Sequence, residues 1–158
     1  MESHFKIFDK ISFQDRYLIQ GSLVNCLILK WPNIEDQMWD HRLKLLTSYI
    51  DQLTSSFTAL PLQFNLQFKP LIITTLQTLQ YIIMLYKSEG TKSKKLLCVA
   101  FQKSVDHSLG LFPVYVRDPE VNQEILQFFL ILLECLQQQV GVAFTQVTVQ
   151  TFMDAYTR

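Results

Sequence analysis

The chain has 158 residues, which is enough for one domain with a sizeable buried core and too short for two. Hydrophobic residues make up 49% of the sequence and charged residues 18%, which excludes an intrinsically disordered chain. Fourteen Lys and Arg balance fourteen Asp and Glu, so the net charge is +0 and no overall charge favours nucleic acid or an anionic membrane.

Long helices are the expected structure, because four Gly and five Pro are too few for many short strands joined by tight turns. Apolar residues recur at helical spacings of three and four between the helix-breaking residues. Six helices are predicted, with these approximate bounds: Ser12 to Lys30, Asn33 to Ala59, Pro70 to Lys87, Thr91 to Phe112, Asp118 to Gln139 and Thr145 to Arg158.

The boundaries of the first two helices follow from a Trp31-Pro32 pair, because the residue before a proline is disfavoured in a helix. Asn33 is then a suitable N-cap for the second helix. Along that helix the apolar residues follow one face, which predicts an amphipathic helix. They are Trp39, Leu43, Leu46, Ile50, Leu53 and Phe57.

The later helices have boundary signals of the same kind. We expect Thr91 or Ser93 to cap the fourth helix and Pro113 to end it. Asp118, followed by a proline and an acid, predicts a capped start for the fifth helix. Gly141 is expected to be the left-handed C-cap of that helix.

Residues 62–69 alternate apolar and polar, which is a strand pattern, but a single strand would have no partner. We therefore interpret residues 60–69 as an extended linker. The remaining chain divides into helical hairpins at 12–59, 70–112 and 118–158. The starts at Pro70 and Asp118 lie 48 positions apart, close to the roughly 40 to 47 residues of HEAT or armadillo repeats. This spacing predicts an all-α fold, an α-solenoid of antiparallel hairpins.

The fifth predicted helix is apolar nearly all round, so it must be covered on two sides. Stacked hairpins provide such cover, and a solenoid needs polar terminal repeats to stay soluble. Neither end of this sequence has the pattern of a polar terminal repeat. We therefore expect the chain to be one stretch of a longer solenoid.

No catalytic motif is present, so we expect a protein that is not an enzyme, without cofactor or metal. His4, His41 and His107 are scattered, and we expect each on the surface or satisfied in the core. The three cysteines have no metal-ligand spacing and are interpreted as reduced, buried thiols; they are Cys26, Cys98 and Cys135. The apolar runs are too short or too often interrupted by polar residues for membrane insertion.

Three lysines at the start of the fourth helix break a local rule, because the helix dipole there favours anions. Lys92, Lys94 and Lys95 are interpreted as a solvated basic loop or, alternatively, as contacts for an acidic protein partner. Trp39 is expected to anchor the second helix against the first, the alternative being a docking point for a partner.

Several stretches, taken in order, resemble the large importin-beta-type exportins, and among them those that export actin–profilin. The matching stretches are Leu27 to Arg42, Ser88 to Ser93, Ser108 to Pro113, Phe128 to Leu130 and Gly141 to Phe152. The resemblance implies a receptor that binds actin–profilin together with Ran-GTP in the nucleus and releases both in the cytoplasm. Nuclear pore proteins are further implied partners. No site residue is carried over, because the cargo contacts of the family have no sequence signature.

Two other functions remain open at the level of sequence. One is a HEAT-like interaction scaffold with no dependence on Ran. The other is a compact helical domain with an apolar ligand pocket, which the aromatic content of 13% allows. A nucleotide-sensitive binding assay separates the first from a receptor, and a closed bundle with a cavity would indicate the second.

Overall fold

A computed structural model describes residues 12–28 and 36–157 of the chain. All regular structure in these two ranges is helical, as the sequence predicts. The elements are α1 (Phe13–Ile28), α2 (Asp36–Thr58), the short 3-10 helix η1 (Leu66–Phe68), α3 (Lys69–Leu85), α4 (Thr91–Val114) and α5 (Pro119–Thr157). The signals predicted at Trp31, Pro32 and Asn33 lie outside the described residues, as does His4.

Helix α5 is broken in its middle and accounts for the fifth and sixth predicted helices. Leu136 has φ −124° and ψ 18°, and Gly141 has φ 82° and ψ 167°. Gly141 has a positive φ, but its ψ is extended rather than that of the left-handed helical region, so the predicted left-handed C-cap is wrong. This combination of angles is essentially restricted to glycine. The helix therefore consists of two segments, 119–135 and 142–157.

The two segments of α5 fold back on each other. The Tyr156 hydroxyl donates a 2.6 Å hydrogen bond to Asn122 Oδ1, so the end of the second segment lies beside the start of the first. Closer to the turn, the ring of Phe129 contacts the rings of both Phe144 and Phe152. These contacts define an antiparallel hairpin.

Alternate helices stack in parallel. Three polar contacts join α3 and the turn after it to α5 and its N-cap, and residue numbers increase together along the two helices. The pairs are Lys69–Asp118, Gln80–Glu124 and Lys87–Glu134. Helix α2 lies on α4 in the same sense, because Trp39 is near Lys92 and Asp51 pairs with Lys103. The hydrogen-bonded partners are 44 to 52 positions apart, which agrees with the repeat spacing seen in the sequence.

The helices therefore form two layers. One layer contains α1, α3 and the first segment of α5, and α1 lies so close to α3 that a Cβ added to Gly21 would be 2.6 Å from Leu85 Cδ1. The other contains α2, α4 and the second segment of α5, where the rings of Phe112 and Phe152 are 4.4 Å apart. This two-layer stack is an α-solenoid, as predicted. The division into hairpins at 12–59, 70–112 and 118–158 stays a prediction.

The core runs between the two layers and receives aromatic side chains from α2, α4 and α5 and from the residues that directly follow α3 and α4. The first segment of α5 is buried on two sides, as its all-round apolar pattern requires. The largest fully buried side chains are Tyr49, Tyr86, Tyr115, Phe57, Phe101, Phe112, Phe128 and Phe129. Their burial ties neighbouring helices together and keeps each layer in register with the other.

Two helix ends differ from the predictions. The N-cap of α4 is Gly90, which makes no side-chain hydrogen bond, so the predicted caps Thr91 and Ser93 are wrong. Pro113 lies inside α4, which ends one residue later at Val114. In the last turn of a helix a proline removes few hydrogen bonds, so it does not stop the helix earlier.

The predicted cap of α5 is confirmed. Asp118 Oδ1 accepts hydrogen bonds from the backbone N–H groups of Glu120 and Val121, both at 3.1 Å. The same carboxylate contacts Lys69 Nζ at 3.2 Å, so one side chain starts α5 and joins it to the start of α3. Burial raises the pKa of Asp118, but the Val121 N–H and Lys69 outweigh that effect and the net shift is downward.

The segment between α2 and α3 is attached to the end of α4 by Tyr115. The Tyr115 hydroxyl accepts a 3.1 Å hydrogen bond from the Asn65 N–H and donates one of 3.0 Å to the Asn65 carbonyl. The alternating side chains of Leu62, Phe64 and Leu66 are more than half exposed, so their pattern does not report a strand. Within the predicted linker 60–69, residues 66–69 are helical rather than extended.

Within the part of the chain that the structure describes, two stretches are long and apolar enough to cross a membrane by length and composition: Leu66–Leu85 and Pro119–Thr157. The sequence-based expectation that no run meets this criterion is therefore not met. In these stretches 44% and 39% of the most apolar window is buried inside the protein. Core helices of folded domains pass the same test, so the finding is weak evidence for a membrane segment.

Candidate interaction surface

A groove lies between α2 and the start of α4, at the position of two of the three predicted lysines. Its volume is about 460 Å³, and its lining residues are Trp39, Asp40, Leu43, Lys92, Lys95, Leu96 and Val99. Trp39 is half-buried, and its ring centroid lies 5.7 Å from Lys92 Nζ and 5.5 Å from Arg42 Cζ. Both distances are within the range of cation–π interactions.

Helical spacing brings these side chains together. Trp39 and Leu43 are one turn apart on α2, and Lys92, Lys95 and Val99 follow one another at three and four residues on α4. Because α2 and α4 run parallel, the two rows face the same groove along its length. The groove therefore combines an aromatic ring, aliphatic side chains and two exposed ammonium groups.

The third lysine of the predicted trio lies on a different face of α4. Lys94 is half-buried, and its charge acts on Cys135 of α5. Burial raises the pKa of Cys135, and the cation of Lys94 partly opposes that rise. Lys92, Lys94 and Lys95 thus do not form one patch, and their role in partner binding stays a prediction.

The groove continues along α2 into a second groove of about 770 Å³, which shares two of its lining residues. The second groove is lined by Leu43, Lys44, Thr47, Ser48, Asp51, Gln52, Ser55 and Val99. Beside it, Lys103 Nζ of α4 pairs with Asp51 Oδ2 at 2.8 Å. We call the two together the α2–α4 furrow.

Trp39 has contacts in the structure that the sequence did not predict. The structure places its ring beside Lys92 of α4 and Arg42 of its own helix. Its expected role as an anchor between α2 and α1 stays a prediction, because the residues that join those helices lie outside the described ranges. The sequence has no signal for this contact, because Trp39 and Lys92 are more than 50 positions apart. Part of the Trp39 side chain lines the furrow, and its alternative role as a docking point stays a prediction.

The two histidines in the described part of the chain are His41 and His107. His41 is exposed, and His107 is half-buried, with the centroid of its ring 5.2 Å from that of Phe57 in an edge-to-face arrangement. His107 Nε2 has no hydrogen-bond partner, and burial lowers the pKa of this imidazole. Among the residues described, no group of three His, Cys, Asp or Glu side chains could hold a metal ion.

The cysteines only partly follow the prediction of buried thiols. Cys135 is buried and Cys98 is half-buried, but Cys26 is exposed, so the prediction is wrong for Cys26, which lies on the solvent side of α1. Burial raises the pKa of Cys98, which disfavours a thiolate nucleophile. Cys98 and His107 are nine positions apart on one helix, or about 14 Å along its axis, which rules out a Cys–His pair.

Comparison with known proteins gives matches over most of the chain. Exportin-6 of Danio rerio is 37% identical over 145 residues, which cover 89% of this chain and 13% of that protein. Exportin-6 of Homo sapiens is 34% identical over 154 residues, and Exportin-6 of Dictyostelium discoideum is 36% identical over 141 residues. This chain is related to one segment of exportin-6. The importin-beta-type exportin resemblance deduced from the sequence is thereby confirmed.

The chain spans only 13% to 14% of the length of these exportin-6 relatives. No family model matches the sequence, and no solved structure matches the chain. The relatives are exportins by name, and exportins are transport receptors rather than enzymes. The α-solenoid architecture suits such a receptor, because stacked helical repeats present extended binding surfaces.

Proposed function

We propose that this chain forms one non-catalytic stretch of a nuclear export receptor that carries actin–profilin, together with Ran-GTP, from the nucleus to the cytoplasm. The observation that carries the proposal is the identity of 37% to Exportin-6 along 89% of the chain. The two-layer helical stack of the described residues supports it. Such a receptor shuttles between the two compartments and contacts nuclear pore proteins on its way.

The mechanism follows from the architecture. In a solenoid each hairpin contacts only its neighbours, so small changes in the angle between repeats add up along the array. Ran-GTP and cargo bound to different repeats are then coupled, because each favours an array curvature that suits the other. Release of both after GTP hydrolysis is the reverse of the same coupling. This chain contributes curvature and surface to the array.

A chimera tests the proposal. The matching segment of the human relative is replaced by this chain, and nuclear clearance of actin–profilin is measured in cells depleted of their own exportin-6. We expect clearance to be restored, and cargo capture by the purified chimera to require Ran loaded with GTP rather than GDP. A chimera with Ile125→Asp, which places a charge in the core, is the misfolded control. A folded chimera that enters the nucleus but leaves actin–profilin there would contradict the proposal.

The isolated chain is expected to bind neither Ran-GTP nor actin–profilin tightly, because a stretch of the array provides a small part of either contact. Pull-down with the purified chain measures this directly. Retention of actin–profilin at submicromolar affinity would place the whole cargo site within these residues and would contradict the role of a spacer.

The two alternative functions have less support. Cargo capture by the chimera that is indifferent to the nucleotide on Ran would favour an interaction scaffold without Ran dependence. A compact domain with an apolar ligand pocket requires helices closed around a cavity, whereas parallel alternate helices in two layers form an open stack.

A further inference from the structure

We propose that the outer face of the α5 hairpin binds a further helical hairpin of the receptor, one whose contacting side chains are apolar and uncharged. The outer face is defined by three leucines of the first segment of α5 and three apolar residues of the second. They are Leu126, Leu130, Leu133, Val142, Val149 and Met153. The inference rests on the proposed function in one respect, because the receptor has to supply the second hairpin.

Helix α3 and the first segment of α5 are successive repeats of one structural unit. Pro70 and Pro119 both lie in the first turn of their helices and are 49 positions apart. The same interval relates four buried apolar residues of α3 to four of α5. They are Ile72, Leu76, Leu79 and Ile83 in α3, and Val121, Ile125, Phe128 and Leu132 in α5. The interval therefore identifies the surface of α5 that corresponds to the α5-binding surface of α3.

That corresponding surface of α5 is a row of leucines. Gln77 of α3 donates a 3.4 Å hydrogen bond to Glu124 of α5, and the repeat interval relates Gln77 to Leu126. Leu126 and Leu133 lie about 200° and 180° from Glu124 around the helix, so they are on the side opposite α3. Both are half-buried, and Leu130 beside them is 59% exposed. A helix that stacks on α5 as α5 stacks on α3 would contact these leucines.

The second segment of α5 is covered less than its counterpart in the same layer. Nine residues of α4 are buried, whereas among residues 142–157, all of which the structure describes, the buried ones are Thr148 and Ala155. Val142, Val149 and Met153 lie within about 40° of one another around the helix. They form an exposed apolar row, in which Val142 is 75% exposed.

A groove of about 810 Å³ lies at the turn of the hairpin, beside this apolar row. Its lining consists mainly of carboxamide and aliphatic side chains, and every lining residue that the structure describes belongs to α5. They are Gln137, Gln138, Gly141, Val142, Thr145, Gln146, Val149 and Gln150. Helices pack by inserting the side-chain ridges of one into the grooves of another, so this groove suits a helix of a second hairpin.

The chemistry of the partner follows from the absence of charge. From Cys135 to Met153 the sequence has no charged residue, whereas the charged fraction of 18% would give about three in that length. A charged side chain of a partner would lose its hydration here without gaining a counter-charge, which is costly. The partner therefore has to present apolar or amide side chains.

Other ligand classes are less suited to this face. Nucleic acids and anionic lipid surfaces are bound through lysine and arginine, and residues 135–153 include neither. A helical hairpin is favoured because the α5 hairpin itself covers the corresponding face of α3 and α4. The relatives are long enough to supply another, since the chain spans only 13% to 14% of their length.

Three side chains of equal exposure provide a matched test. Leu130, Met153 and Val147 are each 59% exposed. Leu130 and Met153 belong to the outer face, but Val147 lies about 140° from Val142 around the second segment and therefore on another side of it. The proposal predicts that a partner hairpin covers the first two and leaves Val147 exposed.

The experiment measures how fast a cysteine at each of these positions reacts with N-ethylmaleimide. Leu130→Cys, Met153→Cys and Val147→Cys are made in the purified full chain and in the chimera with the human relative. Peptide mass spectrometry separates each site from the native cysteines, and circular dichroism confirms that the variants are folded. We expect similar rates at the three sites in the full chain.

In the chimera the three sites should differ. Leu130→Cys and Met153→Cys should react at least about tenfold more slowly than in the full chain, because thiol reactivity depends on access. Val147→Cys should change less than about twofold, because no partner is expected on its side. In the misfolded chimera with Ile125→Asp all three sites should react rapidly.

Three results would overturn the proposal. One is that Leu130→Cys and Met153→Cys react as fast in the chimera as in the full chain. Another is equal protection of all three sites in the chimera. The third is protection in the full chain alone, either at raised protein concentration, which would indicate a second copy, or with phosphatidylserine vesicles, which would indicate a membrane. Labelling requires neither Ran nor cargo, so a chimera that protects these sites but fails in export contradicts the proposed function and not this interface.

Discussion

Replacement of Asp118 separates the two contributions that this carboxylate makes to stability. Asp118→Ala removes the acceptor of the Glu120 and Val121 N–H groups and the contact with Lys69. Loss of an N-cap typically destabilises a protein by about 1 kcal/mol. For a chain of this length that corresponds to a fall in Tm of about 3 °C. The charge contact adds to that loss, since its removal leaves Lys69 with Glu120 as its remaining acidic contact among those described.

Asp118→Asn is the comparison that isolates the cap, because an asparagine oxygen can still accept both backbone hydrogen bonds. We expect its stability to lie between those of the unaltered chain and Asp118→Ala, with the difference between the two variants close to the value of the cap. Urea unfolding followed by circular dichroism at pH 7 measures all three. Asp106→Asn, on the exposed side of α4 with Gln102 as its partner, is the control and should change stability by a few tenths of a kcal/mol at most.

The pH dependence provides a second test of the same side chain. The folded pKa of Asp118 is below its ordinary value, so its charge stabilises the fold above the unfolded pKa. That contribution is lost as the pH falls through the folded pKa. The unaltered chain and Asp118→Asn should therefore converge in stability once the pH has fallen below the folded pKa, which is lower than the ordinary 3.8. Equal unfolding midpoints for Asp118→Ala and Asp118→Asn at pH 7 would refute the cap argument.

Three further predictions concern single residues. Gly141→Ala should destabilise the chain by about 1 to 3 kcal/mol because of its positive φ, while Gly90→Ala, at φ −70° and in open space, should cost less than about 0.5 kcal/mol in the same urea assay. Tyr115→Phe should cost about 1 kcal/mol and speed hydrogen exchange of the Asn65 amide; unchanged exchange would contradict the role of the hydroxyl. Burial lowers the pKa of His107, so the stability that its neutral form contributes is complete above pH 6.5 and is lost as the pH falls below that value. His107→Leu should therefore flatten the change in unfolding midpoint between pH 7.5 and pH 5. An unchanged slope would refute this reasoning.

The sequence predicted those features of the fold that depend on neighbouring residues. Asp118 caps α5 and Gly141 breaks it, because a capping side chain and a positive φ are both local requirements. The caps at Thr91 and Ser93 failed for a local reason too, since Gly90 already supplies the extended conformation that an N-cap needs. The repeat spacing was visible because hairpins of similar length place equivalent residues at a constant interval.

The furrow was only partly accessible from the sequence. Successive residues of a helix point about 100° apart, so helical periodicity is sufficient to separate Lys94 from Lys92 and Lys95. The partner of Trp39 could not have been found this way. Its contact with Lys92 depends on the stacking of α2 on α4, and no pattern within either helix reports which helix lies beside it.

The parallel stacking of alternate helices has a consequence for any long ligand of the second layer. Packed helices lie about 8 to 10 Å apart, and an extended polypeptide advances about 3.3 Å per residue. A chain that crosses α2, α4 and the second segment of α5 at right angles therefore meets a new helix about every three residues. About every third side chain of such a ligand would contact a new helix, whereas an extended chain lying along a single furrow would place every second side chain against it.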